Sequence, residues 1–575
     1  MNRKQRRAVP KQSQTAAGRG PDPASELFAE AARLQRENKL NDAARAYRRL
    51  LLLKPDHAEA NNNLGAVLQA QGKLREASAC FAQSLWLMPQ LFEQYGSVNA
   101  TLVAVLPAFG EAMRRALGVW PNRLTPVQLF DAPGLHAICD DPMLLCVLRS
   151  APARKIGLEF VLTSLRAALL AEAGNAQDDR VLAFGCSLAQ QCFINEYVFA
   201  VAPDEDAQLE RLKAELGEAL ASGATIAPMR LAALAMYLPL HALPAANAML
   251  ERAWPPALEE VVTQQLREPL AELALRPTIA CLTPIEDDVS QRVRQQYEEN
   301  PYPRWVNAAS VNPLPLDALL RAKFPTAAFT PLEKTETVDI LVAGCGTGLG
   351  AQVAQLYQGA RVLAVDLSLS SLCYAKRKTP ASLSDRVEYA QGDILKLGAI
   401  GRSFDMIDCQ GVLHHMRDPF EGWRVLLSLL RPGGFMHLGF YSDTARRDVL
   451  AARAFIAEHG YAATPADIRR CRYDLLKTPL ASVSRFTDFF SASECRDLLF
   501  HVHEIGTTLP AIKTFVDGHG LKFIGFDFQD AAAREFRAMF TDAGWSMSDL
   551  GKWDLVETKY PNTFGNMYQF WVQKS

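Results

Sequence analysis

The sequence has no large excess of one charge, no paired cysteines and no acidic residue in its first twenty positions. Its formal net charge is −2 over 575 residues, which argues against a dedicated nucleic-acid-binding surface. The 11 cysteines are scattered, without the close spacing of disulfide frameworks or zinc sites. We therefore expect a cytoplasmic protein with reduced thiols and no bound metal. The charge balance gives no indication of a nucleic-acid partner.

The chain also lacks an uninterrupted apolar run of membrane-spanning length. Its most apolar stretch, 231–250, contains Pro239, His241, Pro244 and Asn247, which favours buried helices over a bilayer span. Residues 1–20 carry six basic side chains and no apolar core, so they do not resemble a signal peptide. They are predicted to be a disordered basic arm, and no membrane partner is expected.

A repeat of thirty-four residues occupies the N-terminal part of the chain, at 24–57 and 58–91. The matched positions are Leu40 and Leu74, Ala43 and Ala77, Tyr47 and Phe81, and Pro55 and Pro89. This period and pattern are typical of tetratricopeptide repeats (TPRs), which bind proteins or peptides in a groove. Two repeats are too few to be stable alone, so the helical region 92–280 is predicted to extend or cap the repeats 21–91. A purely structural platform or dimer surface is the alternative.

A glycine-rich loop marks the C-terminal part. An apolar run, 338–342, leads into Gly344-Cys345-Gly346-Thr347-Gly348, a helical stretch follows, and a second apolar run ends at Asp366. This order predicts a strand, a tight loop, a helix and a strand ending in a carboxylate, a unit that binds a nucleoside-containing cofactor. Because the loop also fits the dinucleotide pattern, NAD remains an alternative at this point.

Three later stretches narrow the choice of cofactor. Residues 387–394 read as a strand ending near a second acid, Asp393, and 404–410 read as a strand running into His414 and His415. A Pro-Gly-Gly turn then precedes a strand at 435–440. The ordered set resembles the class I S-adenosylmethionine (SAM) dependent methyltransferases over about residues 335–575. With the repeats, the full length resembles a bacterial group of TPR class I methyltransferases.

The resemblance implies roles for individual residues. The loop Gly344, Cys345, Gly346, Thr347 and Gly348 would pass beneath the methionine part of SAM. Asp366, with Leu367 beside it, would accept hydrogen bonds from the ribose hydroxyls. Asp393 would accept from the adenine amino group while Ile394 packs on the ring, and Gln410 would lie near the methyl group.

Two residues at the rim are candidates for catalysis. His415, which follows the fourth strand, is a candidate base or positioning group, and Tyr441 follows the fifth strand. The alternative is that the His-His pair only packs at a helix entry. The chemistry itself asks mainly for alignment and exclusion of water, because the SAM sulfonium is already activated.

The segment 292–305 precedes the first strand and is rich in arginine and aromatic residues. It begins as a helix that Pro301 and Pro303 end. By analogy with methyltransferases whose N-terminal helix closes over SAM, Arg294 and Tyr297 would cover the cofactor, and Tyr302 would face the substrate. We therefore predict a linker and cofactor lid at 281–331; a linker pinned by its aromatic residues is the alternative.

A helical insertion is predicted at 442–518 within the methyltransferase domain 332–575. His501 and Glu504 are placed on one helical face as substrate-facing candidates, whereas His501 and His503, two apart, point to different faces and do not favour a metal pair. The predicted fold is a Rossmann-like α/β domain with a seven-stranded sheet, preceded by an all-α TPR-containing region. The predicted function is SAM-dependent methyl transfer to an unknown acceptor, with repeats that recruit a protein. The alternatives are a TPR scaffold that binds SAM without catalysis and, less favoured, an NAD-dependent enzyme.

Overall fold

The computed structural model describes residues 22–89, 91–92, 98–175, 178–307, 311–334, 336–527, 530–540 and 547–575. The predicted basic arm, residues 1–20, lies outside these ranges. The chain forms two compact units, Met1–Leu106 and Pro107–Ser575. Most of the predicted region 92–280 therefore lies in the second unit.

The described part of the first unit is helical. Its helices are α1 (Pro23–Arg36), α2 (Leu40–Leu53), α3 (Ala58–Ala70), α4 (Leu74–Leu87) and α5 (Val98–Val105). The repeated small residues Ala43 and Ala77 are fully buried, and so they let neighbouring helices approach closely. Gly65 of α3 is packed against the ring of Phe81 in α4, where a Cβ atom would lie 2.9 Å from the ring.

The second unit begins with a helical region. Its helices are α6 (Pro107–Val119), α7 (Pro126–Phe130), α8 (Pro142–Ser150), α9 (Ile156–Ala171), α10 (Asp179–Ile194), α11 (Pro203–Ser222), α12 (Pro228–Ala235), α13 (Pro256–Val262) and α14 (Glu268–Leu275). The apolar stretch 231–250 forms the end of α12 and two short 3-10 helices, Leu240–Ala242 and Ala246–Glu251. Within the described ranges, no helix combines the length and apolar character that a bilayer span requires.

The α/β part of this unit is built on one sheet. Its strands are β1 (Ala280–Cys281), β2 (Val338–Ala343), β3 (Ala360–Asp366), β4 (Val387–Gln391), β5 (Phe404–Cys409), β6 (Leu430–Tyr441), β7 (Leu521–Phe526) and β8 (Met567–Lys574). The order of the described strands is β1-β4-β3-β2-β5-β6-β8-β7, and β8 runs antiparallel to both of its neighbours, β6 and β7. Parallel strands β4, β3, β2 and β5 end at one edge, where the predicted site residues gather.

Helices cover both faces of the sheet and complete the unit. They are α15 (Asp288–Glu299), α16 (Leu316–Lys323), α17 (Leu349–Leu356), α18 (Leu369–Lys378), α19 (Pro419–Leu429), α20 (Arg447–His459), α21 (Pro465–Leu475), α22 (Ala492–Phe500), α23 (Leu509–Gly518), α24 (Asp530–Met539) and α25 (Leu550–Lys559). Separate apolar clusters on the two faces contain Trp423 and Phe570 on one and Met406 and Trp571 on the other.

The structure corrects the predicted strand count and two boundaries. The described sheet has eight strands and not seven, because Ala280 and Cys281 pair with Ala390 and Gln391 and extend the edge beyond β4. Strand β6 begins at Leu430, so the Pro-Gly-Gly turn forms an irregularity within the strand. Helix α22 ends at Phe500, so His501 and Glu504 do not share a helical face.

The helical region supports the α/β part through buried polar contacts. Arg472 of α21 makes two hydrogen bonds, of 2.7 and 3.1 Å, to the carboxylate of Glu159 in α9, and both side chains are 1% exposed. The turn after α10, which contains Asn195 and Glu196, contacts both the helical insertion and the segment that precedes β2. The Asn195 carbonyl accepts from Ala492 N–H, and Glu196 lies 3.2 Å from Arg304. The turn thereby fixes both the insertion and the segment before the first cofactor strand.

Candidate active site

A cavity of about 330 Å³ lies at the carboxyl edge of the parallel strands. It is lined by the loop after β2, by the ends of β3 and β4, and by residues of α15 and of the segment that follows this helix. The predicted residues that line it are Gly344, Cys345, Gly346, Gly348, Asp366, Leu367, Asp393, Ile394, Gln410, Tyr297, Tyr302, His415 and Tyr441. This edge of a parallel sheet is where α/β folds bind their ligands.

Two glycines of the loop after β2 have backbone conformations that would be strained for any other residue. Gly344 and Gly346 have φ values of 77° and 50°, in the left-handed region that favours glycine. A Cβ atom on Gly346 would lie 2.8 Å from the carbonyl oxygen of Tyr302, and one on Gly344 would collide with Val412. The glycines therefore allow both the sharp turn and the close approach of neighbouring backbone.

Asp366 ends β3 and braces the loop. One carboxylate oxygen accepts the Gly346 N–H at 2.8 Å, and the other accepts the Ser368 N–H at 2.9 Å. Burial raises the pKa of Asp366 above its ordinary value, although these two N–H groups oppose the shift. The carboxylate lines the cavity and retains lone pairs for a diol.

Asp393 follows β4 and lines the cavity. Its Oδ1 accepts the Leu395 N–H at 3.0 Å, and its backbone N–H donates to the Thr283 hydroxyl at 2.7 Å. Its Oδ2 is buried and has no hydrogen-bond partner among the described residues. Burial also raises the pKa of Asp393. A buried acceptor without a partner is costly, so this oxygen fits a donor such as an adenine amino group.

The segment Tyr302–Trp305 is packed directly on the glycine loop. The indole N–H of Trp305 donates to the carbonyl of Thr347 at 2.9 Å, and the Thr347 hydroxyl donates to the carbonyl of Pro303. Gly348 lies so close beneath the indole that a Cβ atom there would collide with it. We call residues 297–305 the cover.

Helix α15 anchors the start of the cover beside Asp366. The Ser368 hydroxyl donates to the Tyr297 carbonyl at 3.0 Å. The Glu298 carboxylate accepts from the N–H groups of Leu369 and Ser370 at the start of α18, where the helix dipole favours an anion. The cover is thereby tied to the loops after β2 and β3.

The far end of the cavity holds the candidate catalytic residues. His415 Nδ1 lies 3.1 Å from the His503 carbonyl, so Nδ1 carries the proton and Nε2 keeps its lone pair. Burial lowers the pKa of His415 and keeps the ring neutral at neutral pH. Tyr441 has His414 stacked at 3.7 Å and the Arg446 guanidinium 3.7 Å from its ring centre. Burial raises the pKa of Tyr441 far above its ordinary value, so its hydroxyl is a donor and not a base.

Two polar side chains of the insertion, Asp497 and His501, lie next to Tyr297 at this end of the cavity. The Tyr297 hydroxyl donates to Asp497 Oδ1 at 2.6 Å and lies 3.3 Å from His501 Nε2, while the His501 ring stacks on His415 at 3.7 Å. Ligand atoms of His415, Asp497 and His501 lie within 4.8 Å of one another. However, His501 Nδ1 accepts the His503 N–H at 3.1 Å, so Nε2 carries the proton and has no lone pair for a metal.

Four predicted site residues do not line the cavity. Thr347 turns its hydroxyl to the cover, and His501 lies behind Tyr297. Arg294 lies in a shallow groove with Gln295 and Glu298 on the outer side of α15. The Glu504 carboxylate accepts hydrogen bonds from Arg446 at 2.9 Å and Arg453 at 2.8 Å, in a buried ion-pair group that leaves it no access to a substrate.

Several contributors to the site have no local sequence signal. Asp497 reaches the cavity from the insertion, and Thr283 reaches Asp393 from the linker. The contact of Trp305 with the glycine loop was not predicted either. Pro301 and Pro303 predicted that the helix ends near this point, but they did not predict these contacts.

Comparison with known proteins identifies the domain that contains this cavity. A family model described as "Methyltransferase domain" matches residues 341–438, which include the glycine loop, both acids and His415. The chain carries a SAM-dependent methyltransferase domain. Its residues fit SAM, because the carboxylates of Asp366 and Asp393 line the same cavity as the glycine loop and can accept hydrogen bonds from a ribose and an adenine amino group.

Individual relatives cover only parts of the chain. An uncharacterised protein of Synechococcus is 29% identical over 33% of this chain and 49% of its own length. A ubiquinone biosynthesis O-methyltransferase of Coxiella burnetii is 29% identical over 27% of this chain and 63% of its own length. The chain thus spans less than two thirds of these curated relatives. The solved structure of PKMT2 from Rickettsia typhi in complex with AdoHcy is 19% identical, with a TM-score of 0.36, over 48% of this chain and 55% of that chain.

Proposed function

We propose that this protein transfers the methyl group of SAM to an acceptor that binds at the His415 end of the cavity. The observation that carries the proposal is the joint placement of a glycine loop, Asp366 and Asp393 at the ends of adjacent strands in one covered cavity. SAM supplies an activated methyl group when bound. The protein then has to align the acceptor with it and exclude water.

Each wall of the cavity has a separate task in this proposal. Asp366 binds the ribose hydroxyls, Asp393 binds the adenine amino group, and the cover excludes water. Gln410, whose amide donates to Asp408 at 2.9 Å, is held in a fixed orientation at the boundary between cofactor and acceptor. His415 accepts the proton that the acceptor loses.

The sheet order argues against a nicotinamide cofactor. In the dinucleotide-binding fold the sheet is mostly parallel with the order 3-2-1-4-5-6. Here the antiparallel strand β8 lies between β6 and β7.

The alternative function, a TPR scaffold without catalysis, makes a different prediction. It predicts that the protein binds SAM but transfers no labelled methyl group from it.

The rate of methyl transfer is expected to depend on pH through His415. Burial places its pKa below the ordinary value of 6.5, and the neutral ring is the active base. The turnover rate should therefore fall in acid with a midpoint below pH 6.5, where the His415 ring becomes protonated. His415→Gln should lower the rate about a hundredfold or more, whereas His459→Gln, at an exposed position on α20, should leave it unchanged.

A pH profile measured at saturating SAM checks this role. A midpoint above 6.5, or a His415→Gln variant with the full rate, would mean that another group accepts the proton.

We also propose that the first unit is a TPR module that recruits a protein substrate or partner. The helix pairs α1–α2 and α3–α4 follow the thirty-four-residue period, and Asn62 and Asn63 of α3 are only partly buried. Changing both asparagines to alanine should lower methylation of protein acceptors in an extract while SAM affinity stays constant. Lys73→Ala, in the turn before α4, is the control. If protein methylation is unchanged, the platform alternative is favoured.

A further inference from the structure

A buried carboxylate without a basic partner lies at the acceptor end of the cavity. The Asp497 side chain is 4% exposed, and its Oδ1 accepts only the Tyr297 hydroxyl. Among the described residues, no lysine or arginine lies within ion-pair distance of this carboxylate. His501 lies 3.9 Å away, but burial lowers its pKa far below 6.5, so it is uncharged. A buried carboxylate with no basic partner favours a cation as its ligand, because buried charges are normally paired.

The surrounding rings suit an organic cation better than a metal ion. Tyr297 and Tyr302 line the cavity beside Asp497, with ring centres 6.4 Å apart. Aromatic faces attract ammonium groups electrostatically. The ring of Tyr441 is already in contact with His414 and Arg446, so its hydroxyl is the part of the side chain that can contact a ligand. The protonated Nε2 of His501 leaves only His415 and Asp497 as ligands for a metal, fewer than a protein metal site normally has.

A proton acceptor lies at the right distance on the other side. A nitrogen of His415 and an oxygen of Asp497 lie within 4.8 Å of each other. One amine nitrogen placed between them can reach both with hydrogen bonds of about 2.8 Å. The arrangement therefore provides a binding anion and a neutral base for the same nitrogen.

We propose that the methyl acceptor is an aliphatic amine that enters as its ammonium ion and binds between Asp497 and the rings of Tyr297 and Tyr302. This inference rests on the proposed methyltransferase function. The ammonium gives one proton to Nε2 of His415. The nitrogen lone pair then forms a bond to the methyl carbon, and the carbon–sulfur bond breaks with its electron pair going to sulfur. The products are the N-methylammonium, S-adenosylhomocysteine and a proton that His415 releases to solvent.

The test follows tritium from methyl-labelled SAM in an extract of the source cells, with purified full-length protein added. Label is expected in a group that resists mild alkali and is recovered as a methylated amine after acid hydrolysis. Label released as methanol by alkali, or recovered on oxygen or carbon, would overturn the inference while supporting methyl transfer. No label above that of a heat-inactivated control would instead overturn the proposed function. Precipitation with acid separates an amine carried by protein from a small free amine.

A pair of variants tests Asp497 itself. Asp497→Asn removes the charge at nearly constant shape, and it should lower kcat/KM for the labelled acceptor about tenfold or more. The affinity for SAM, measured by calorimetry, should stay within about twofold, since the ribose and adenine contacts are untouched. Asp474→Asn is the matched control, because Asp474 also lies in the insertion and also accepts a tyrosine hydroxyl, that of Tyr461 at 2.7 Å, but away from the cavity.

The variants also have outcomes against the inference. If Asp497→Asn weakens SAM itself more than about tenfold, the carboxylate serves the sulfonium or amino group of the cofactor and not an amine acceptor. If activity requires an added divalent ion and is lost with a chelator, His415 and Asp497 are metal ligands. If Asp497→Asn and Asp474→Asn behave alike, Asp497 has only a structural role.

Discussion

Asp366→Ala is expected to weaken SAM binding about ten- to a thousandfold, because two hydrogen bonds to a charged acceptor are worth about 1.5–3 kcal/mol each at most. The carboxylate also accepts the Gly346 and Ser368 N–H groups, so its loss loosens the loop that carries the cofactor. Titration calorimetry with SAM and with S-adenosylhomocysteine measures the effect.

Asp385→Ala provides the control for this change. Asp385 is exposed on the 3-10 helix Ala381–Arg386 and does not line the cavity. The control should bind SAM as the unchanged protein does. If Asp366→Ala keeps full affinity while remaining folded, the ribose does not bind at the end of β3 and the proposed orientation of SAM is wrong.

Gly346→Ala is expected to weaken SAM binding about ten- to a hundredfold, since strain of about 1–3 kcal/mol arises in the loop and 1.4 kcal/mol is a factor of ten. Residue 346 has a left-handed backbone conformation, which is strained for alanine. The added Cβ atom would also lie 2.8 Å from the carbonyl oxygen of Tyr302, so the cover has to move away from the loop. Limited proteolysis should then cut the 297–305 segment faster than in the unchanged protein.

Gly401→Ala separates the two causes of this effect. Gly401 has a φ of 65°, similar to that of Gly346, but a Cβ atom there meets nothing within 4 Å. This variant should lose about 1–2 kcal/mol of stability from the backbone alone and keep its SAM affinity. Equal losses of SAM affinity in both variants would show that contact between cover and loop does not matter for binding.

The local motifs made the cofactor half of the site predictable. Gly346, Asp366 and Asp393 lie within a few residues of strand ends, and the carboxyl ends of parallel strands meet at one edge. These site residues could be predicted because their positions depend on the local sequence and on the rule that parallel strands end at the same edge of a sheet.

The acceptor half depends on packing between distant segments and was predicted less well. Asp497 meets Tyr297 across 200 positions of the chain. No residue after Phe500 carries a helix-stop signal before Gly506, so the end of α22 was placed too late and Glu504 was assigned to the substrate. In the structure Arg446 and Arg453 bind its carboxylate. The two-residue strand β1 is too short to have a recognisable pattern and pairs only because the linker passes along β4.

The most direct test of the central claim is titration calorimetry of the unchanged protein with SAM, S-adenosylhomocysteine and NAD. The geometry of the cavity predicts one site with micromolar affinity for SAM and S-adenosylhomocysteine, about −8 kcal/mol, and no measurable binding of NAD. Tight binding of NAD without binding of SAM would contradict the assignment of this cavity as the cofactor site of a methyltransferase.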